Sequence, residues 1–193
     1  MSTIKTAIIV DTDEYVCGKI SHWFQSIGWQ TLIFHDGRDV WNQLQEMIPV
    51  LPGCIVAEIT IPGMNAYELA RNCATNFQLK DVNLIFYSTK DSEFDHYWAC
   101  TGSRVLAYVG KTDGRVTIQS QKQRYVGDEP PESIKQLVDE FHSVAEDQEL
   151  NSETIQQLVD YSFTMLTKVL HDLLVVDDRY KLAIDDRYEV TNE

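Results

Sequence analysis

Five side chains that lie far apart in the chain have types that work together when gathered into one pocket: Asp11, Glu58, Ser88, Tyr108 and Lys111. Asp11 closes the apolar run Ala7-Ile8-Ile9-Val10, Glu58 closes Cys54-Ile55-Val56-Ala57, and Ser88 closes a run that begins at Asn83. Lys111 follows a further run from Arg104 to Val109, and Tyr108 stands three residues before it. A short apolar segment ending on an acid, then Pro62-Gly63 and a helix start, puts Glu58 at the carboxyl end of a strand. Open α/β sheets build their sites there, and only neighbouring parallel strands could bring groups so distant in sequence together.

The elements that must position these groups alternate along the chain. Ile4 to Val10 reads as a buried strand, and Tyr15 to Ile27 carries Val16, Ile20, Trp23, Phe24 and Ile27 at helical spacing, ended by Gly28. Gln30 to Phe34 is a second strand, and Asp36-Gly37 opens a helix through Val40, Trp41, Leu44 and Met47. Pro49, Pro52 and Gly53 mark a loop before the third strand, Cys54 to Glu58, which leads to a helix from about Ala66 to Cys73. A fourth strand (Asn83 to Ser88), a fourth helix (Glu93 to Cys100) and a fifth strand (Arg104 to Val109) complete the alternation. Five strands separated by four helices predict a doubly wound α/β fold, with a five-stranded parallel sheet covered on both faces.

Residues 112–130 break this rhythm. Val116 and Ile118 alternate weakly before the polar stretch Gln121 to Tyr125, which suggests an extended insertion, either a solvated hairpin or a contact surface for an acidic partner. Pro130-Pro131 then starts a helix with Ile134, Leu137, Val138, Phe141 and Val144 on one face, suited to be the sheet domain's last helix. After the acidic hinge 146–149 comes a longer helix with a broad stripe: Ile155, Leu158, Val159, Ser162, Leu166, Val169, Leu170 and Leu173. A stripe that wide needs a partner surface, in its own domain or on a second subunit. The expected organisation is a domain over 1–145 that holds the insertion, and an acidic helical extension and tail over 146–193. The tail repeats Asp177-Asp178-Arg179-Tyr180 as Asp185-Asp186-Arg187-Tyr188.

The pattern over roughly residues 4–111 resembles the receiver domains of response regulators, a flavodoxin-like fold, most specifically in Pro62-Gly63-Met64-Asn65-Ala66-Tyr67-Glu68-Leu69. The resemblance implies that acids at the end of the first strand bind Mg²⁺ and that an aspartate in the place of Glu58 accepts a phosphoryl group. It further implies that Ser88 and Lys111 hold the phosphoryl oxygens and that Tyr108 swings with activation. Three positions depart from the family. Asp11 is followed by Thr12 where a second acid is usual, which leaves Asp11 as a weak Mg²⁺ candidate, with Asp13 aimed elsewhere. Glu58 adds a methylene, displacing the carboxylate by on the order of 1.5 Å, and an error near 1 Å costs in-line transfer about 10²-fold. Thr112 replaces the proline usual after the lysine, so that peptide bond need not be cis.

These departures point to a pseudo-receiver that binds proteins and does no catalysis, with no cofactor. Glu58 is then either a buried charge paired with Lys111 or a fixed negative charge standing near the phosphoryl position. Retained phosphorylation is one alternative. Another is a phosphatase, since Val10-Asp11-Thr12-Asp13 also resembles the nucleophile motif of haloacid-dehalogenase-type enzymes, with Asp13 as acid/base and Val175-Val176-Asp177-Asp178 as a later motif. Tyr15 departs from that motif, and the reading gives Pro62 to Leu69 no role.

Composition limits the partners. The 193 residues carry a net charge of −14, and residues 128–193 hold 17 acids against 5 Lys/Arg. Such an acidic third repels phosphate backbones and anionic membranes, which argues against nucleic acid. No apolar run approaches the roughly 18 residues of a membrane span, and Met1 to Lys5 leads straight into a strand without a signal peptide's apolar core. The four cysteines and five histidines show no ligand or redox spacing, and the four tryptophans read as packing. A cytoplasmic signalling or scaffolding protein is expected, with a protein partner and a possible homodimer through the C-terminal helix.

Overall fold

The computed structural model describes residues 5–90, 92, 95, 105–112, 114, 116–118 and 152–175. The elements are β1 (Thr6–Val10), α1 (Glu14–Ser26), β2 (Gln30–Phe34), α2 (Gly37–Met47), β3 (Cys54–Ala57) and α3 (Ala66–Thr75). They are followed by β4 (Leu84–Ser88), β5 (Val105–Gly110), β6 (Val116–Ile118) and a long final helix, α4 (Ser152–Leu174). One sheet runs in the order β2-β1-β3-β4-β5-β6. Its first five strands are parallel, the doubly wound sheet expected, and β6 pairs antiparallel to β5 with Val109 opposite Val116. The start of the expected insertion is therefore a sheet strand that covers the β5 edge. Of the expected helix at Glu93 to Cys100 only Asp95 is among the described residues, and the expected helix at Ile134 to Val144, the insertion beyond Ile118 and the repeated tail lie outside them.

Strand alternation sends successive side chains to opposite faces. Ile8 and Val10 join Ile55, Ala57 and Phe86 in a core beneath α2 and α3. Ala7 and Ile9 join Val56, Ile85 and Tyr87 in a second core beneath α1 and α4. The wide stripe of α4 finds its partner surface here: Leu166 and Leu170 are fully buried with Ile20, Phe24 and Val109. Fully burying a leucine is worth roughly 1.5–3 kcal/mol, so Leu166 and Leu170 fasten α4 to the sheet. Ser162, the polar member of the stripe, is equally buried and shares a 2.7 Å hydrogen bond with the Tyr87 hydroxyl.

Local chemistry sets the helix starts at the site end of the sheet. Asp13, Asp36 and Asn65 cap α1, α2 and α3 by accepting from backbone N–H groups one turn in. Glycine is required twice here, at Gly63 in the turn before α3 and at Gly37 at the start of α2. Gly63 has φ +71°, and a Cβ there would lie 2.1 Å from the Asp36 carboxylate. At Gly37 a Cβ would lie 1.8 Å from the Met64 carbonyl oxygen. The caps of α2 and α3 are thus locked against each other beside the third strand's end.

Candidate functional site

Asp11, Glu58 and Lys111 are each the first residue beyond a strand, and the backbone pairing runs on through them. The Asp11 N–H donates to the Phe34 carbonyl (3.1 Å), that of Glu58 to Val10 (2.9 Å) and that of Lys111 to Ser88 (2.8 Å). Three side chains are thereby fixed at adjacent strand ends. They are nearly buried, with relative exposures of 3% for Asp11, 5% for Glu58 and 6% for Lys111.

The Glu58 carboxylate gathers donors from three directions. Oε1 accepts from the backbone N–H of Ile59 (2.7 Å) and Thr60 (3.3 Å) and from the Ser88 hydroxyl. Oε2 accepts from the Thr89 N–H (3.1 Å) and the Lys111 ammonium (2.8 Å). Consecutive backbone N–H groups with a hydroxyl and an ammonium make an anion-binding concavity, and here the chain's own carboxylate fills it. Lys111 also donates to Asp11 Oδ2 at 2.5 Å, while Asp11 Oδ1 accepts from the Asp13 N–H at 3.0 Å.

One ammonium therefore serves two buried acids, and their acidities separate. Burial is the largest influence on each and pushes both up. At Glu58 that push is outweighed by Lys111, the Ser88 hydroxyl and the Thr89 N–H, which hold it below the usual glutamate range. Asp11 has fewer donors and Glu58's charge nearby, so it stays above the usual aspartate range. Burial would lower Lys111, yet Glu58 and Asp11 together hold its ammonium above the ordinary lysine value.

Above these groups is a cavity of about 380 Å³, floored by Asp11, Glu58 and Lys111 and rimmed by Thr12, Thr60, Thr89 and Thr112. Thr12 occupies the second-acid position and is exposed, while Thr112 is buried beside Lys111. The cis peptide bond among the described residues is Ile48–Pro49, not the one at Thr112. Asp13 borders the cavity, but its Oδ1 is committed to capping α1 through Tyr15 N (2.9 Å) and Val16 N (3.2 Å). Tyr108 does not line the cavity. It is fully buried in the opposite core, its ring 6.1 Å from Phe86, edge to face.

This donor set does not fit Mg²⁺. The ion takes carboxylate and water oxygens in octahedral geometry. The two facing carboxylates are instead bridged by the Lys111 ammonium, and the third acid is spent on a helix cap. Among the described residues no group of three or more His, Cys, Asp or Glu is arranged to hold a metal ion. Among the described residues the thiols are buried and poorly acidic: burial pushes Cys17 and Cys73 up to about 12, and Cys54 is raised as well.

Several contributors carried no sequence signal. The backbone donors of Ile59, Thr60 and Thr89 are independent of side-chain type. His35 places Nδ1 2.6 Å from the Asp11 carbonyl oxygen. Leu158 and Val159 of α4 close one side of the cavity with Val16, although their spacing reads simply as part of an apolar stripe. Tyr87 sets its ring 5.5 Å from the Lys111 ammonium.

The five-stranded parallel sheet with its helices matches solved receiver structures. This chain has the receiver fold. The chemotaxis response regulator CheY4 of Vibrio cholerae is 18% identical, with a TM-score of 0.50 over 56% of this chain and 88% of that one. The phosphorylated cyanobacterial phytochrome response regulator RcpA is 13% identical, with a TM-score of 0.52 over 86% and 96%. The Mn²⁺-bound response regulator Rcp1 is 18% identical, with a TM-score of 0.51 over 77% and 99%. At such identities the likeness to these receivers is one of fold. No family model and no curated protein matches the chain.

Proposed function

We propose that this chain is a pseudo-receiver, a signalling module that acts by binding another protein and whose Glu58 carboxylate permanently takes the place of a transferred phosphoryl group. One observation carries the reading: the single carboxylate draws donors from Ile59, Thr60, Ser88, Thr89 and Lys111, as an incoming anion at that strand end would. The extra methylene of glutamate supplies the reach. With Ser88 drawn onto Glu58 and Tyr108 buried, the aromatic residue is held inward without any signal. Both oxygens accept from several donors, which makes the carboxylate a poorer nucleophile toward phosphorus.

The partner is a protein of a signalling or scaffolding complex. The acidic C-terminal third disfavours nucleic acid. No helix among the described residues is long and apolar enough to cross a membrane, and this reading places the protein in the cytoplasm. Homodimerisation through α4 is less favoured, because the buried members of its stripe face its own sheet. The phosphatase alternative needs Asp13 as an acid/base, and the capping of α1 opposes it.

Affinity capture with the wild-type chain and with Glu58→Gln tests the reading. Loss of the captured partner with the glutamine supports the fixed charge, while undiminished capture would reduce Glu58 to a buried structural charge. Radiolabel transfer from a small phosphodonor with Mg²⁺, abolished by Glu58→Gln, would instead make the chain a phosphorylated receiver. Hydrolysis of a generic phosphate monoester, abolished by Asp11→Asn, would make it a phosphatase.

A further inference from the structure

The strand β2 forms one margin of the sheet. It pairs with β1 in unbroken register from Gln30 to Phe34. The Gln30 N–H donates to the Lys5 carbonyl (2.9 Å), and the Phe34 carbonyl accepts from the Asp11 N–H (3.1 Å). Backbone groups alternate sides along a strand, so Leu32 also turns its N–H and C=O toward β1. Thr31 and Ile33 turn theirs outward, where among the described residues no strand receives them.

Native sheets blunt such a margin with proline, charge or a bulge. The run Gln30-Thr31-Leu32-Ile33-Phe34 has no proline and no charged residue, and its register has no bulge. Ile33 is 42% exposed, the one large apolar side chain that a strand leaves so open among the described residues. On the other face Leu32 and Phe34 are only partly buried, beside Trp41 of α2.

A second copy of this chain fits the margin by symmetry. With a twofold axis at Leu32, antiparallel pairing sets Thr31 of each copy opposite Ile33 of the other, and every outward N–H and C=O of the two strands is satisfied. Leu32 meets its own counterpart on the α2 face, and Ile33 covers Thr31 on the α1 face, where Thr31 bonds Ser21. An axis at Thr31 would call on the Trp29 N–H, which already donates to the Phe24 carbonyl (3.0 Å). An axis at Ile33 would call on His35, past the strand's end. Charge favours the same arrangement. Residues 1–127 hold 13 acids against 11 Lys/Arg, so this margin belongs to the nearly neutral part of an acidic chain. Antiparallel pairing also brings Lys5, whose ammonium lies 5.2 Å from the Trp29 ring centroid, toward Asp36, just past the end of the other copy's β2.

We propose that β2 is a self-association edge, through which two copies of the chain join antiparallel about a twofold axis into one continuous sheet. The Glu58 sites then stand at opposite ends of the pair, because antiparallel strands reverse their carboxyl ends, and one pair can hold two partners at once. An edge of this length is a small interface, so the pairing is weak and depends on concentration. It does not depend on what Glu58 imitates.

Sedimentation equilibrium and amide exchange read by NMR test it, both on the full chain from about 5 to about 500 µM. The mass should rise from one copy toward two. The Thr31 and Ile33 amides should exchange fast in the single chain. They should slow by about tenfold where about nine-tenths of the chains are paired, since only the unpaired fraction exchanges. The Leu32 amide, already turned to β1, should stay as it is. Ile33→Pro removes an outward N–H at a place where an edge strand tolerates proline, and it should keep the chain single at every concentration with unchanged circular dichroism. Ile33→Lys keeps the N–H and adds an edge charge, and it provides the same test should the proline variant not fold. A mass of one copy at the highest concentration, pairs that persist in the folded variants, or Thr31 and Ile33 amides indifferent to concentration would overturn the proposal. None of these readouts involves a partner or position 58, so such a failure leaves the reading of Glu58 untouched.

Discussion

Asp11 and Glu58 share a single ammonium, with Lys111 Nζ 2.5 Å from the one and 2.8 Å from the other. Two buried acids on one cation leave an excess negative charge, and the backbone donors around Glu58 decide which acid bears it comfortably. The site's behaviour on mutation and titration follows from that inequality.

Lys111→Met should be the most damaging single change at the site. It leaves two facing carboxylates in a nearly dry pocket, and removing one partner of a buried ion pair costs about 3–5 kcal/mol. Urea unfolding at neutral pH should show the loss, and adding Asp11→Asn should recover part of it.

Glu58→Gln should cost less, about 1–3 kcal/mol. The amide oxygen still accepts from one set of donors, but its NH₂ meets the N–H and ammonium that Oε2 now receives. The unfolding midpoint should fall while the urea slope is unchanged, which separates a local loss from a change in compactness.

Acid titration should pull the two carboxylates in opposite directions. Glu58 is depressed in the folded state, so its contribution is full above the ordinary glutamate value and is lost as pH falls through its folded value. Asp11 is raised, so its ionisation penalises the folded state at high pH, and that penalty is relieved as pH falls through its folded value. Wild-type stability should therefore change little on mild acidification. Asp11→Asn should lose stability steadily, and Glu58→Gln should gain before other groups titrate. On the alkaline side Lys111, raised in the folded state, contributes fully below about pH 10.4 and is lost as pH climbs through its folded value. Unfolding midpoints across pH in all three proteins check these signs.

Leu170→Ala should destabilise the whole chain by about 2–5 kcal/mol, because Leu170 is fully buried on the sheet beside α1. A chain ending at residue 150 should lose cooperative unfolding altogether, since it bares the face formed by Ile20, Phe24, Ile85 and Val109. Calorimetry of the two proteins would show it.

The strands were legible because their apolar runs are short, β-branched and bounded by turn signals, and each site acid stands one residue past such a run. The hydroxyl of Ser88 and the ammonium of Lys111 were legible for the same reason. The completion of the site was not. Backbone N–H groups at Ile59, Thr60 and Thr89 exist whatever residues stand there, and only the folded turn aims them at Glu58. Nor could periodicity say what α4 would cover, since Leu158 and Leu166 belong to one stripe yet face a cavity and a core respectively. The strand β6 was hidden by its brevity: two alternating apolar residues are too few to separate a strand from a loop.

That short strand has a bearing on how copies of the chain meet one another. An open strand edge offers a row of unpaired amides and carbonyls on which a neighbour's backbone can template itself. β6 covers Ala107 to Val109, half of the six-residue edge of β5, and is itself only three residues long. Among the described residues the longer open margin of the sheet is therefore β2, five residues at the opposite side, and that is where pairing between copies would start.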